Sequence, residues 1–76
     1  KLTAAHRNLP FNTWIRVYSL KDKTKQVEVR INDRGPYDFR FTIDLSLAAF
    51  ENLTDVSKGM VEIKYEIIAK PTEELL

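Results

Sequence analysis

Two stretches of period-two alternation, separated by five polar residues, constrain this chain more than any other feature. In residues 14–20 (WIRVYSL), Ile15 and Val17 fall on one face and Trp14, Arg16 and Tyr18 on the other. In residues 26–31 (QVEVRI), Val27, Val29 and Ile31 face one way and Gln26, Glu28 and Arg30 the other. Alternation carried by β-branched residues marks a half-buried strand. The link Lys21-Asp22-Lys23-Thr24-Lys25 is short and polar, so the pair reads as a β-hairpin with a solvated tip.

Beyond the hairpin, Asn32-Asp33-Arg34-Gly35-Pro36-Tyr37-Asp38 holds the densest turn chemistry of the chain. Asn and Asp bond nearby backbone, Gly permits positive φ, and Pro fixes φ and stops a strand. Residues 39–45 (FRFTIDL) alternate again, which predicts a strand with Phe39, Phe41, Ile43 and Leu45 on one face. Leu47, Phe50 and Leu53 then recur at helical spacing, predicting a short helix capped by Ser46 or Asp44 and ending near Thr54-Asp55. Gly59 precedes a last strand, residues 60–68, with Val61, Ile63, Tyr65 and Ile67 on one face. Leu2 to His6 suits a further short strand. The sum is four or five short strands and one short helix, a mainly β domain of the small-barrel kind over residues 1–70. Residues 71–76 read as a tail or linker.

Composition narrows the chemistry. A chain of 76 residues buries only ~60% of its unfolded surface. It has no cysteine, which removes a disulfide scaffold, a thiolate zinc site and a cysteine nucleophile. His6 is the only histidine and cannot build a histidine-rich site, so neither metal nor cofactor is expected. Twelve basic residues against 11 acidic ones, interspersed, argue against a nucleic-acid surface. No apolar run approaches the ~20 residues that span a bilayer, so no membrane span is expected in this chain.

Candidate residues are few. His6 is either a hydrogen-bonded structural residue or the one side chain with an ordinary pKa near neutrality. Asp33 either closes an Asx turn or projects a carboxylate from a strand end into a groove. Arg34 beside it can neutralise that charge or grip a substrate oxygen. Asp44 is most simply a helix cap. Trp14 and Tyr18 share a strand face and are either core or a surface for stacking sugars.

In combination these segments say more. Thr3-Ala4-Ala5-His6-Arg7-x-Leu9-Pro10-Phe11, then Val29-Arg30-Ile31-Asn32-Asp33-Arg34-Gly35-Pro36-Tyr37, then Ile43-Asp44-Leu45-Ser46-x-Ala48-Ala49 closely resemble the rare lipoprotein A domain, a double-psi β-barrel of the septal-ring lytic transglycosylase family. Expansins, barwins and family 45 endoglucanases are more distant relatives. The resemblance runs from residue 3 to about residue 68 and implies a six-stranded double-psi β-barrel lacking its first strand, with one short helix after the IDLS element. It implies that Asp33 is the catalytic carboxylate of a glycan groove and His6 a supporting residue there. Asn32, Arg34 and Tyr37 would shape the substrate-binding loop, with Trp14 as a sugar-stacking residue. Asp44 and Ser46 would introduce the helix, in a largely structural role.

The implied reaction cleaves the bond between N-acetylmuramic acid and N-acetylglucosamine in stem-peptide-free peptidoglycan strands, in the periplasm, outer membrane or cell envelope. A carboxylic acid protonates the leaving oxygen and the sugar's own 6-hydroxyl closes on C1 to a 1,6-anhydro product. Family members carry a glutamate on a segment ahead of the TAAH motif. No glutamate of this sequence matches it, so impaired activity is expected of these 76 residues. A non-catalytic polysaccharide-binding module and a structural or interaction domain are the other readings. An open barrel edge would invite dimerisation or strand exchange.

Overall fold

The expected hairpin forms as strands β2 (Trp14–Ser19) and β3 (Gln26–Asp33) of a computed structural model that describes residues 1–71. Ile15 lies opposite Val29 and Val17 opposite Val27, so the four β-branched residues stack on one face. Together with Ile31 they are the buried centre of the core. On the other face Arg16 bridges Glu28 and Glu66 at 2.9 and 3.0 Å, an exposed arrangement that fixes register more than it stabilises.

Three further strands complete one sheet, in the order β4-β1-β3-β2-β5. β1 (Thr3–His6) runs parallel to β3, β4 (Ile43–Leu45) pairs antiparallel with β1, and β5 (Ile63–Ala69) pairs antiparallel with β2. The sheet is strongly curled. β1 and β5 are three strands apart, which in a flat sheet is about 14 Å, yet the His6 ring reaches the Tyr65 hydroxyl at 3.2 Å. The result is a mainly β, five-stranded half-barrel. Its two edges, β4 and β5, flank an open cleft of about 610 Å³ lined by Phe41, Ile43, Leu45, Phe50, Val61 and Ile63.

Helix α1 (Leu47–Glu51) follows β4 directly. Ser46 is its N-cap, accepting the Ala49 N–H at 3.3 Å; Asp44 takes no part in the cap. The same hydroxyl accepts the Thr3 N–H at 3.2 Å and donates to the Lys1 carbonyl at 2.6 Å, tying the helix start to β1.

Four sequence expectations need correction. Residues 39–42 are not strand, because the Arg7 guanidinium holds the Pro36 and Phe41 carbonyls and the Phe41 N–H bonds the Asp38 carbonyl, closing a turn. The helix stops earlier than expected, a single 3₁₀ turn (Val56–Lys58) follows, and Leu47 is exposed while Ala49 and Leu53 are buried. The last strand starts at Ile63, not residue 60. Its register slips by one residue between Trp14 and Ile15, which face Ala69 and Ile67 across the strand pair. Ile68 is the extra residue of that bulge; Ile67 keeps the inner face of its partner Ile15 but is 45% exposed, and Ala69 is turned to the outer face opposite Trp14. Of the expected tail, Pro71 is described and residues 72–76 lie outside the described residues.

The Ser46 hub yields a direct test. Ser46→Ala removes the cap and two further bonds and is expected to cost about 1–2 kcal/mol in urea unfolding. A loss of a few tenths would show that the hub is replaced by solvent.

Candidate functional site

Strand β1 is flanked on both sides by acidic residues. Ala5 pairs with Asp33 of β3 on one edge and with Asp44 of β4 on the other. Paired residues share a face, so Asp33, Ala5 and Asp44 form one row across three strands. Ala4, Ile31 and Leu45 form the neighbouring row on the opposite face, and they pack into or against the core. Both aspartates are exposed.

Asp33 owes its orientation to an irregularity. Val27, Val29 and Ile31 point inward, so unbroken alternation would send Asp33 inward as well. The β1–β3 register instead jumps from Ala4 opposite Ile31 to Ala5 opposite Asp33, leaving Asn32 as an extra, exposed residue. This bulge re-aims the Asp33 carboxylate to the outer face. Its Oδ1 accepts the Arg34 N–H at 2.8 Å. Two strand spacings put the Asp33 and Asp44 Cα atoms about 10 Å apart. The Ala5 methyl between them is 8% exposed, covered from the side of Gly35 and Tyr37.

The two arginines that follow β1 and β3 are ties between loops. Arg34 donates to the His6 and Leu9 carbonyls at 3.2 and 2.7 Å and stacks on Phe11, 4.2 Å from the ring centre. Arg7 donates to the Pro36 and Phe41 carbonyls at 3.1 and 2.8 Å and lies 4.9 Å from the Phe39 ring centre. Between them Gly35 adopts φ 135°, which a side chain resists. A Cβ there would sit 3.7 Å from the Tyr37 ring and 3.8 Å from the Ala5 methyl, so Tyr37 borders the acidic row. The Tyr37 ring is 83% exposed.

His6 points the other way. It follows Ala5 in the strand, so its ring joins the inner face, where it is 8% exposed. Its Nδ1 accepts the Asn8 and Leu9 N–H groups at 3.2 and 3.0 Å. That nitrogen is therefore unprotonated, and Nε2 carries the hydrogen that goes to the Tyr65 hydroxyl. Burial lowers the His6 pKa first, and the positive charges of Arg7 and Arg34 lower it further.

The structure thus brings Asp33 and Tyr37 to one face and leaves His6 on the other, with no hydrogen bond between His6 and Asp33 among the described residues. Asn32 is the bulge residue, and Arg34 has one guanidinium nitrogen committed to backbone. Trp14 is 39% exposed on the same outer face as Asp33, in the row of Arg30 and Thr3. Two residues escaped the sequence reading. Asp44 looked like a cap, although Ser46 two positions on is the better hydroxyl for that role. Tyr65 looked like one more inward apolar residue, although a buried phenol needs a partner and His6 is the inward polar group available. Among the described residues no group of three or more His, Cys, Asp or Glu is placed to hold a metal, and no helix is long and apolar enough to cross a membrane.

The His6 arrangement gives a pH dependence with a definite sign. With its pKa below the ordinary 6.5 in the folded state, His6 takes up a proton more readily when the chain unfolds. The contribution of this group to stability is therefore full above the ordinary value and falls as pH drops below it toward the lowered one. His6→Asn keeps an acceptor for the Asn8 and Leu9 N–H groups without titrating, and is expected to flatten this slope in urea titrations at stepped pH. An equal slope in the variant would assign the effect to other groups.

Comparison with known proteins identifies the family. A family described as lytic transglycolase matches residues 1–65. An endolytic peptidoglycan transglycosylase RlpA of Campylobacter jejuni is 42% identical over 67 residues, covering 88% of this chain and 24% of that protein. An enzyme of the same name from Pseudomonas aeruginosa is 45% identical over 65 residues, 86% of this chain and 19% of its own length. A probable member from Nostoc is 41% identical over 69 residues, 91% of this chain and 18% of that protein. The chain thus spans about a quarter or less of the length of these relatives. The family match over residues 1–65 and these identities lead to one conclusion: this chain belongs to the lytic transglycosylase family of RlpA-like double-psi β-barrels.

Proposed function

We propose that this domain binds stem-peptide-free peptidoglycan strands in the cell envelope and contributes to their cleavage between N-acetylmuramic acid and N-acetylglucosamine. The observation that carries the proposal is the row of Asp33 and Asp44, two exposed carboxylates flanking one alanine. Non-hydrolytic cleavage needs an acid to protonate the leaving oxygen, and a base to take the proton of the 6-hydroxyl as it closes on C1. An ionised carboxylate beside the ring also favours the oxocarbenium-like transition state. One residue of the row acts as the proton donor to the leaving oxygen and, once ionised by that transfer, takes the proton of the 6-hydroxyl as it closes on C1; the other stabilises the cationic sugar. Arg34 and Gly35 shape the loop, Asn32 re-aims Asp33, and Tyr37 and Trp14 offer ring faces to sugars on the same side. His6 supports the groove from behind, through the turn it caps.

Turnover by these 76 residues is slow, in this reading. Among the described residues Glu28 and Glu66 are engaged with Arg16, Glu51 lies on the helix and Glu62 lines the β4–β5 cleft, so no glutamate pairs into the Asp33–Ala5–Asp44 row. The test is incubation with stem-peptide-free glycan strands and mass spectrometry of 1,6-anhydro ends. Trace product is expected, falling at least about tenfold in Asp33→Asn and in Asp44→Asn. Robust product that only Asp33→Asn abolishes would overturn both the impairment and the role of Asp44. Firm glycan binding with no product at all would instead favour a non-catalytic binding module, a reading also supported by the exposed Tyr37 and Trp14 rings.

The cleft between β4 and β5 supports a second element of the proposal, self-association through unpaired strand edges. Light scattering is expected to show a dimer whose fraction rises with concentration. A strictly monomeric chain at about millimolar concentration would remove it.

A further inference from the structure

The loop of residues 36–41 presents an aromatic ring that nothing in the fold requires. Phe39 is 81% exposed at its tip, a placement that leaves a large apolar ring in water. Yet the loop is held firmly. Arg7 bonds the carbonyls at both of its ends, Pro36 and Phe41. The Asp38 carboxylate takes the Arg40 guanidinium at 2.7 to 3.1 Å and the Arg40 N–H at 3.0 Å. The Arg7 guanidinium sits on one side of the Phe39 ring, leaving the other side to solvent. A loop with this many ties could tuck its ring away at little cost, and it does the opposite.

We propose that Phe39, backed by Arg7, is a glycan-stacking subsite that extends the acidic row by at least one sugar beyond Tyr37. This deepens the functional reading above and rests on it. The pyranose ring has an apolar face of C–H groups that packs flat on an aromatic ring, and a cation behind the ring enriches the electron density those C–H groups meet. Continuity with the site comes from the chain itself. Tyr37 lies against Gly35 and Ala5 at the acidic row, and Phe39 is two residues further along the same tied loop. Arg7 directly follows His6, so the strand that carries the row also carries the support for the ring. A ring carried on a backbone loop already tied in the free protein costs less ordering on binding than one on a loose loop.

The experiment titrates the 76-residue chain with an N-acetylglucosamine tetramer and with stem-peptide-free glycan strands, reading backbone amide shifts by NMR. Phe39→Ala and Phe39→Leu are expected to weaken binding about five- to tenfold, and Phe39→Trp to retain it. Leu47→Ala, which removes another exposed apolar side chain, on the helix, is expected to change nothing. Wild-type binding that Phe39→Leu leaves within about twofold would overturn the subsite and spare the glycan reading. Absence of wild-type binding to either probe would overturn the glycan reading and the subsite with it. Because Phe39 is exposed, its variants keep the fold, and their unchanged amide spectra away from the loop verify this.

Discussion

A four-residue strand paired on both edges is the constraint on which the rest of the structure depends. β1 lies between β3 and β4, parallel to one and antiparallel to the other. Only small side chains suit that position. Ala4 is buried in the core on one side, and Ala5 is closed over by Gly35 and Tyr37 on the other. A larger residue at Ala5 would push the Gly35 loop away and fill the space between Asp33 and Asp44. The same strand ends in His6, whose ring caps the turn that sends Arg7 toward the 36–41 loop. Packing, acidic row and loop position are thus consequences of one short pairing.

The arginines divide their labour in a way their charge alone does not reveal. Arg7 and Arg34 spend their hydrogen bonds on four backbone carbonyls and their flat faces on Phe39 and Phe11. Guanidinium groups suit this, because they combine directed donors with a weakly hydrated plane. Their positive charge also keeps the buried imidazole neutral, so His6 serves as an acceptor for its turn and a donor to Tyr65. His6 is thereby a fixed strut, with both ring nitrogens engaged inside the fold.

Much of this was readable from residue pattern, for reasons that can be named. The β2–β3 hairpin follows from its alternation, and the helix start from the hydroxyl of Ser46. The family motifs, in their order and spacing, pointed to the barrel. The failures have a common cause, which is that periodicity counts residues and bulges do not respect the count. One extra residue at Asn32 turns Asp33 outward, and one at Ile68 turns Ala69 to the outer face with Trp14. Residues 39–42 alternate like a strand, but the pull of Arg7 on both ends of the loop outweighs that preference. The companionship of Asp44 with Asp33 was illegible because both residues find it only through Ala5, a third strand distant from each in sequence.

That dependence has a consequence for how the molecule assembles. The hairpin joins neighbours and closes a short loop. The acidic row instead draws Ala5, Asp33 and Asp44 from across roughly forty residues of chain, and such contacts reward the search for them only after the loops have closed. A half-folded copy can possess the hairpin and most of the apolar stack while its two carboxylates remain strangers. The Asp33–Ala5–Asp44 row is therefore an all-or-none attribute of the finished topology, and a nascent or damaged chain carries none of it.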